Sequence, residues 1–507
     1  LTRSAYVGGL FGIAAAALAA GLLRSTAAES GEGKGLFNEK VIGQVRNLIL
    51  RHYVEPSEDL DKKLYYGALS GMADALDRHS QFLTPDEREE LEIDVQGKFG
   101  GLGIVIEKPL GKDGPIVVVT PFLGTPASKA GIQPGDRIIE IEGKPTVGME
   151  LAEAVDRLRG TPGTKVRVKV QRGVERLSRS LNAGRLLQGC RLVSLAGEPV
   201  GDRKESEIFE LLKAKRGQGV EVVVVPEVLA EPEELVIERG EIHVPSVEFS
   251  RIVDRKAMIG YVHLSRFHED SPAALKKAIE DLRAKGMRAL VLDLRGNPGG
   301  LLAAAVQASE LFLKSGVIVS TRGRGDPDGR SPETVFRANS RNAYTREELP
   351  LAVLIDGYTA SAAEILAAAI RDNRRGVVVG SRSFGKGSVQ KPFDVNLGRD
   401  PATGKPLVGA LKLTVEKYYT PSGVCIQREE GKDSWGVEPD VVVEVSDGEM
   451  IDIRRQWEKD KLAEQRGETV DDSAAGRVRD APLERALEIL RAVLVLAPSA
   501  EMRAAAD

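Results

Sequence analysis

Ser361 stands in Gly357-Tyr358-Thr359-Ala360-Ser361-Ala362-Ala363-Glu364, directly after an apolar run at residues 351–355. A buried strand ending there, with a helix from 361 to about 371, leaves the hydroxyl at the carboxyl edge of a sheet, where α/β enzymes keep their sites. The free N–H groups and positive end of that helix would face any oxyanion formed beside it. The same residues also read as a capping box, Ser361-x-x-Glu364, and many serines do nothing more. Lys386 follows 25 residues later, between two glycines, in Gly380-Ser381-Arg382-Ser383-Phe384-Gly385-Lys386-Gly387-Ser388-Val389-Gln390. A serine nucleophile needs a base, and no histidine lies in this part of the chain. A lysine serves if burial lowers its pKa from about 10.4 toward neutrality. Two alternatives stand beside that reading. One is a lysine on a surface loop. The other is a phosphate loop, and it fails: Gly387 stands where Ser or Thr must hold magnesium, and the segment reads on as a strand.

Little else in the chain has the residue types for catalysis. Its 507 residues carry five histidines and two cysteines, Cys190 and Cys425, with none at metal-ligand spacing, so no metal and no cofactor is expected. The net charge of −4 comes without a run of one sign, which excludes the basic footprint of a nucleic-acid binder. The glycine loop Gly100-Gly101-Leu102-Gly103-Ile104 is different. Its exposed backbone N–H groups can hold a terminal carboxylate, and the strand beyond can accept an extended peptide as an added strand.

Several modules must position these groups; length alone suggests roughly three domains. Residues 4–23 are uncharged and rich in Ala, Gly and Leu, between Arg3 and Arg24, and small residues follow to Ala28. Residues 1–28 therefore read as a signal peptide or a membrane anchor, and either puts the remainder outside the cytoplasm. Residues 38–96 read as a helical domain, with Thr84-Pro85-Asp86-Glu87 starting its third helix. From 97 to 184 the order of loop, strands, turn and helix resembles a PDZ domain. Part of it returns at a constant offset of 54: Gly135, Arg137, Gly143, Pro145, Leu158 and Val166 recur as Gly189, Arg191, Gly197, Pro199, Leu212 and Val220. This partial repeat, 185–228, lacks the glycine loop and so should bind no carboxylate. Residues 229–445 follow an α/β pattern, with apolar strands at 289–292 and 351–355. The tail, 446–507, is charged and helical, with an apolar stripe through Leu483, Leu487, Leu490 and Leu494.

Four motifs together resemble the carboxyl-terminal processing proteases, a family of tail-specific serine endopeptidases. They are Asp293-Leu294-Arg295-x-Asn297-x-Gly299-Gly300, Thr359-Ala360-Ser361-Ala362-x-Glu364-Ile365, Phe384-Gly385-Lys386-Gly387-x-x-Gln390, and Tyr419-Thr420-Pro421-x-Gly423. His79-Ser80-Gln81-Phe82-Leu83-Thr84-Pro85 and Pro439-Asp440-Val441 fit as well. The resemblance runs from about residue 40 to about 460 and departs from the usual single-PDZ layout only in the repeat. It implies an α+β multidomain chain: helical N-terminal segment, PDZ domain with partial repeat, α/β protease core of crotonase-like type, helical tail. It further implies Ser361 as nucleophile, Lys386 as general base and Gln390 as the residue that positions the lysine. The N–H groups of Ala362 and Gly300 would form the oxyanion hole, Gly299 being an equally bare neighbour. Protein or peptide substrates would be held by apolar C-termini at residues 100–104, and the protein would be a homo-oligomer, which the stripes of the terminal helices could support. Two rival classes remain: a PDZ scaffold on an inactive core, and an acyl-thioester hydratase. Having both Ser361 and Lys386 argues against the first, and the export signal against the second.

Overall fold

Two runs of aliphatic residues, Ala289–Asp293 and Leu351–Ile355, form the centre of a six-stranded sheet in which every one of their side chains is buried. The order across it is Val247–Asp254, Ile259–Leu264, Ala289–Asp293, Leu351–Ile355, Val377–Gly380 and Val441–Val442. The first pair is antiparallel and the others parallel. A parallel sheet must be covered on both faces, and alternate side chains serve the two. Leu290, Leu292, Leu351 and Val353 face the helices Ser271–Ala284, Leu302–Glu310 and Ala362–Asp372. Ala289, Val291, Ala352 and Leu354 pack instead with Ala486 and Leu490 of the last helix, Ala481–Leu496. This computed structural model describes residues 39–55, 57, 59–108, 114–122, 124–172, 190–195, 198–199, 222–226, 232–325, 333–339, 349–400, 403–465, 470 and 477–496.

The chain divides into two compact units, Lys98–Val244 and the remainder. Within the larger unit a second sheet is built around the long strand Pro406–Tyr419, which pairs with Ser388–Arg399, Val317–Gly323 and Gln81–Leu83. That last pairing departs from the expectation of a separate N-terminal helical domain. The helices Glu39–His52, Leu60–Asp74 and Pro85–Gln96 are present. Between the second and third, however, the chain adds a strand to the sheet that follows Lys386. The capping box at Thr84 is formed: Glu87 N donates to Thr84 Oγ1 at 3.3 Å, and Thr84 N to Glu87 Oε2 at 2.8 Å. The stripe of the last helix also has a partner not read from the sequence, because it covers this chain's own sheet.

In the smaller unit the sheet runs Glu233–Glu238, Lys165–Gln171, Arg137–Ile141, Ile116–Pro121, Ile104–Glu107, each pair antiparallel. The helix Leu151–Leu158 buries Ala154 and Leu158 in its core. Ile104–Glu107 ends the sheet. Most of the expected repeat lies outside the described residues, but three of its strands are described: Cys190–Leu195, Glu198–Pro199 and Val222–Pro226. They pair among themselves, Leu192 with Val224 and Ser194 with both Val223 and Pro199. The apolar stretch at 4–23 also lies outside the described residues, among which no helix is long and apolar enough to cross a membrane.

Candidate active site

Ser361 ends the turn that leaves Leu351–Ile355 and is the residue before the first turn of helix Ala362–Asp372. Its backbone stands at φ 55°, ψ −116°. That left-handed conformation is costly for a residue with a side chain and persists only when its surroundings hold it. They do so through hydrogen bonds. Ala360 N donates to Asn297 O at 2.9 Å, and Thr359 Oγ1 donates to Leu294 O at 2.9 Å. Glu364 Oε2 accepts from Ser361 N at 2.7 Å, the returning half of a capping box. The Ser361 hydroxyl, fully buried, faces Glu364 N in the other half of that box without a hydrogen bond of good geometry. The phenol of Tyr418, held protonated by burial, is the polar group close enough to bear on it.

The turn after Ala289–Asp293 lies against this one because the two strands are neighbours. Asn297 ties it down: Nδ2 donates to Leu264 O at 2.7 Å, and Oδ1 accepts from Gly299 N at 2.8 Å. Gly299, at φ 100°, has room for no side chain; a Cβ there would stand 2.8 Å from Ser361 Cβ and 2.9 Å from Ala362 N. The two glycines differ in their N–H groups. That of Gly299 is taken by Asn297. Gly299 O accepts from Phe267 N at 2.9 Å, and since a trans peptide points its C=O and N–H opposite ways, the Gly300 N–H faces away from Phe267. Ala362 N, the first of its helix, belongs to the N–H groups that a helix leaves without internal partners.

Lys386 enters from the loop between Val377–Gly380 and Ser388–Arg399. Glu364 carries that loop as well. Its Oε1 accepts from Gly385 N at 2.7 Å and from Ser383 Oγ, and its Oε2 accepts from Lys386 N at 2.9 Å. One carboxylate oxygen thus holds the backbone N–H groups of both Ser361 and Lys386. Burial pushes the Glu364 carboxyl up, and these four donors work against that rise. The flanking glycines are needed for close approach: a Cβ on Gly387 would stand 2.4 Å from Gln427 N. Lys386 is 5% exposed. Its amine is lowered to about 8, first by burial and then by the charge of Lys412, with Glu364 opposing. Gln390 is buried, and its amide nitrogen donates to Ser388 Oγ at 2.8 Å and Thr414 Oγ1 at 3.3 Å.

Two polar neighbours, Asp77 and Lys412, escaped the motif search, and a third, His79, was read only as part of a motif. Asp77 Oδ1 accepts from Thr414 Oγ1 at 3.1 Å, so the turn before Gln81–Leu83 reaches the partner of Gln390. His79 is held neutral, lowered to about 4 by burial and then by the charge of Lys386. Lys412, buried and itself lowered by burial, donates to Gln81 Oε1 at 3.3 Å. Asp77 and His79 reach the site through strand pairing across more than 300 residues, as in Gln81 opposite Lys412, whereas Lys412 is placed by the pairing of its strand with Ser388–Arg399, opposite Pro392. The only sequence signal was the short His79 to Pro85 motif.

In the smaller unit, the carbonyl of Leu102 accepts from Ala127 N at 2.9 Å and that of Gly103 from Phe122 N at 2.8 Å. By the same geometry the N–H groups of Gly103 and Ile104 point the opposite way. Gly101 differs: Gly100 O accepts from Gly160 N at 3.1 Å, and the opposite side of that peptide faces Gly240–His243, with which Lys98–Gly101 pairs, Gly101 opposite Gly240. Ile104–Glu107 pairs on one side with Ile116–Pro121 and, among the described residues, has its other edge unpaired. An extended peptide fits such an edge.

Comparison with known proteins agrees in two places. Peptidase family S41 matches residues 258–443, and the PDZ domain family matches residues 117–172. A carboxy-terminal-processing protease of Bartonella bacilliformis is 35% identical over 389 residues, covering 76% of this chain and 70% of its own length. The carboxy-terminal processing protease CtpA of Bacillus subtilis is 30% identical over 427 residues, 84% of this chain and 72% of its own. Among solved structures, a photosystem II D1 C-terminal processing protease aligns with 80% of this chain and 92% of that chain at 25% identity, with a TM-score of 0.38.

Proposed function

Because the chain belongs to the carboxy-terminal-processing serine proteases of peptidase family S41, we propose that it cleaves peptide bonds with a Ser361–Lys386 dyad. Its substrates are proteins captured by their C-termini in the PDZ unit. The observation that carries this reading is the shared Glu364 oxygen, which binds the backbone of the nucleophile and of the base at 2.7 and 2.9 Å.

Neutral Lys386 takes the proton of Ser361 Oγ as the oxygen attacks the scissile carbonyl. The negative charge that develops is met by the N–H groups of Ala362 and Gly300, the latter left over once Asn297 has taken Gly299. The ammonium then returns its proton to the leaving amine, and water, deprotonated by the same lysine, releases the acyl group. Gln390, anchored by Ser388 and Thr414, has its carbonyl oxygen left to accept from the amine and hold it in line. Upstream, the N–H groups at 103 and 104 bind the terminal carboxylate while the substrate tail adds a strand to Ile104–Glu107. The apolar stretch at 4–23 supports work outside the cytoplasm. The exposed face of helix Glu39–His52, with Val41, Ile42, Val45 and Leu48, is the stripe that supports a homo-oligomer.

The test is cleavage of a protein with an apolar tail by the wild-type chain, Ser361→Ala and Lys386→Ala. Cleavage by the wild type alone is expected, with Ser361→Ala still retaining the tail. Turnover by Ser361→Ala would refute the dyad.

A further inference from the structure

Among the described residues Arg295 is the largest fully buried side chain, and it lies in the turn that ends at Gly300. One side of its guanidinium faces Asp293: Nε lies 3.0 Å from both carboxylate oxygens, and Nη2 donates to Oδ2 at 2.6 Å. The other side faces a residue 185 positions away. Nη1 donates to Asp480 Oδ1 at 2.8 Å and Nη2 to Asp480 Oδ2 at 2.9 Å, a two-bond fork. Trp457, on helix Asp447–Gln465, stacks on the same guanidinium at 4.9 Å. From that helix Arg454 also lies over the turn: a Cβ on Gly296 would stand 2.5 Å from its Nη2. The same guanidinium is 5.6 Å from the ring of Tyr358 in the nucleophile turn.

We propose that the two C-terminal helices hold the oxyanion turn in register with Ser361, and that Asp480 is the positioning residue that does so through Arg295. A guanidinium this deeply buried needs both carboxylates; with one removed, it gains by turning toward water and drawing its backbone along. Only Gly296, Asn297 and Pro298 separate that backbone from the Gly299–Gly300 pair. An oxyanion donor works within a few tenths of an ångström, so a small shift there weakens transition-state binding and leaves ground-state binding intact. The proposal rests on the Ser361–Lys386 reading.

The test compares full-length wild type, Asp480→Asn, Asp480→Glu and Ser361→Ala. Asp480 also caps the last helix, accepting from Leu483 N at 3.2 Å; asparagine keeps that cap and removes the charge. Per folded molecule, Asp480→Asn should lower kcat about 10- to 100-fold with KM and tail binding unchanged. Affinity for a peptide aldehyde, whose adduct with the serine places an oxygen in the hole, should fall in step with kcat. Asp480→Glu should recover part of the loss. If Asp480→Asn does not fold, Arg454→Gln at its half-exposed site should lower kcat without moving KM. Wild-type kcat in these variants, or equal losses of substrate and aldehyde affinity, would overturn the inference while Ser361→Ala stays silent. Cleavage surviving in Ser361→Ala would sink the dyad reading, and the inference with it.

Discussion

A lysine acting as a base must be uncharged when the serine needs it, and burial is the chief force that brings Lys386 toward that state. With its amine lowered to about 8, the fraction able to take a proton grows as pH rises. Hydrolysis at limiting substrate should therefore climb tenfold per pH unit below about 8 and level off above it. Lys386→Arg should be inactive at every workable pH, because a guanidinium keeps its proton. Wild-type turnover in that variant would remove lysine from the mechanism. The same shift has a stability sign. Below about 8 the folded state must hold a charged amine in a buried site, whereas the unfolded chain carries that charge freely up to about 10.4. Folding is opposed there by roughly 3 kcal/mol, and the opposition fades as pH rises from 8 toward 10.4. Lys386→Met should thus melt higher than wild type at pH 6 and lose that advantage near pH 10; an advantage independent of pH would contradict the assignment. Serine, lysine and glutamine were legible because each sits in a local motif beside a predicted strand. Asp77 and Lys412 were not, and His79 was read only as part of a motif, because strand pairing places them: Gln81–Leu83 with Pro406–Tyr419, and that strand with Ser388–Arg399.

At the scale of elements, two turns from neighbouring parallel strands must touch without side chains between them. Gly299→Ala puts a methyl group 2.8 Å from Ala360 O and Ser361 Cβ, on a backbone at φ 100°. One turn has to yield, so activity should fall by at least about 100-fold, while tail binding in the other unit stays unchanged. Near-normal kcat for this variant would mean that the turns are not held together as described. The last helix poses a different question. Its stripe announced a buried face, but amphipathic spacing does not say what covers it. The alternation of Ala289, Val291, Ala352 and Leu354 along the strands answers that, since small and branched residues on this face receive Ala486 and Leu490. Leu490→Ala should then cost about 2–4 kcal/mol in chemical denaturation of the isolated chain. Val495→Ala, at a position 83% exposed, should cost almost nothing. If the stripe instead joined copies of the chain, the Leu490→Ala loss would depend on protein concentration.

Across the whole molecule, the inserted segment raises the question of how a unit accepts sixty extra residues and keeps its sheet. Lys165–Gln171 and Glu233–Glu238 are neighbours, with Val170 opposite Glu233, so the insertion sits where a tight hairpin turn would serve. The repeated residues were legible as a constant offset, and the described strands pair on the same scheme. Ile138 faces Val170 and Glu140 faces both Lys169 and Pro145; 54 positions on, Leu192 faces Val224 and Ser194 faces both Val223 and Pro199. Even the skipped residue, Ile139 in one and Val193 in the other, falls at the same place. Among the described residues this ladder pairs only within itself, register and irregularity included. The edge strand Ile104–Glu107 lies at the opposite end of that sheet from Glu233–Glu238, and the pairing of Gly240–His243 with Lys98–Gly101 lies beyond the point of excision. Replacing residues 173–231 by a short Asn-Gly turn should therefore leave the host sheet folded. Affinity for a free apolar tail should stay within about twofold, and amidation of the tail should weaken binding in both forms alike. A tenfold loss of tail affinity on excision, with the sheet intact by circular dichroism and melting, would assign the repeat a direct part in substrate capture.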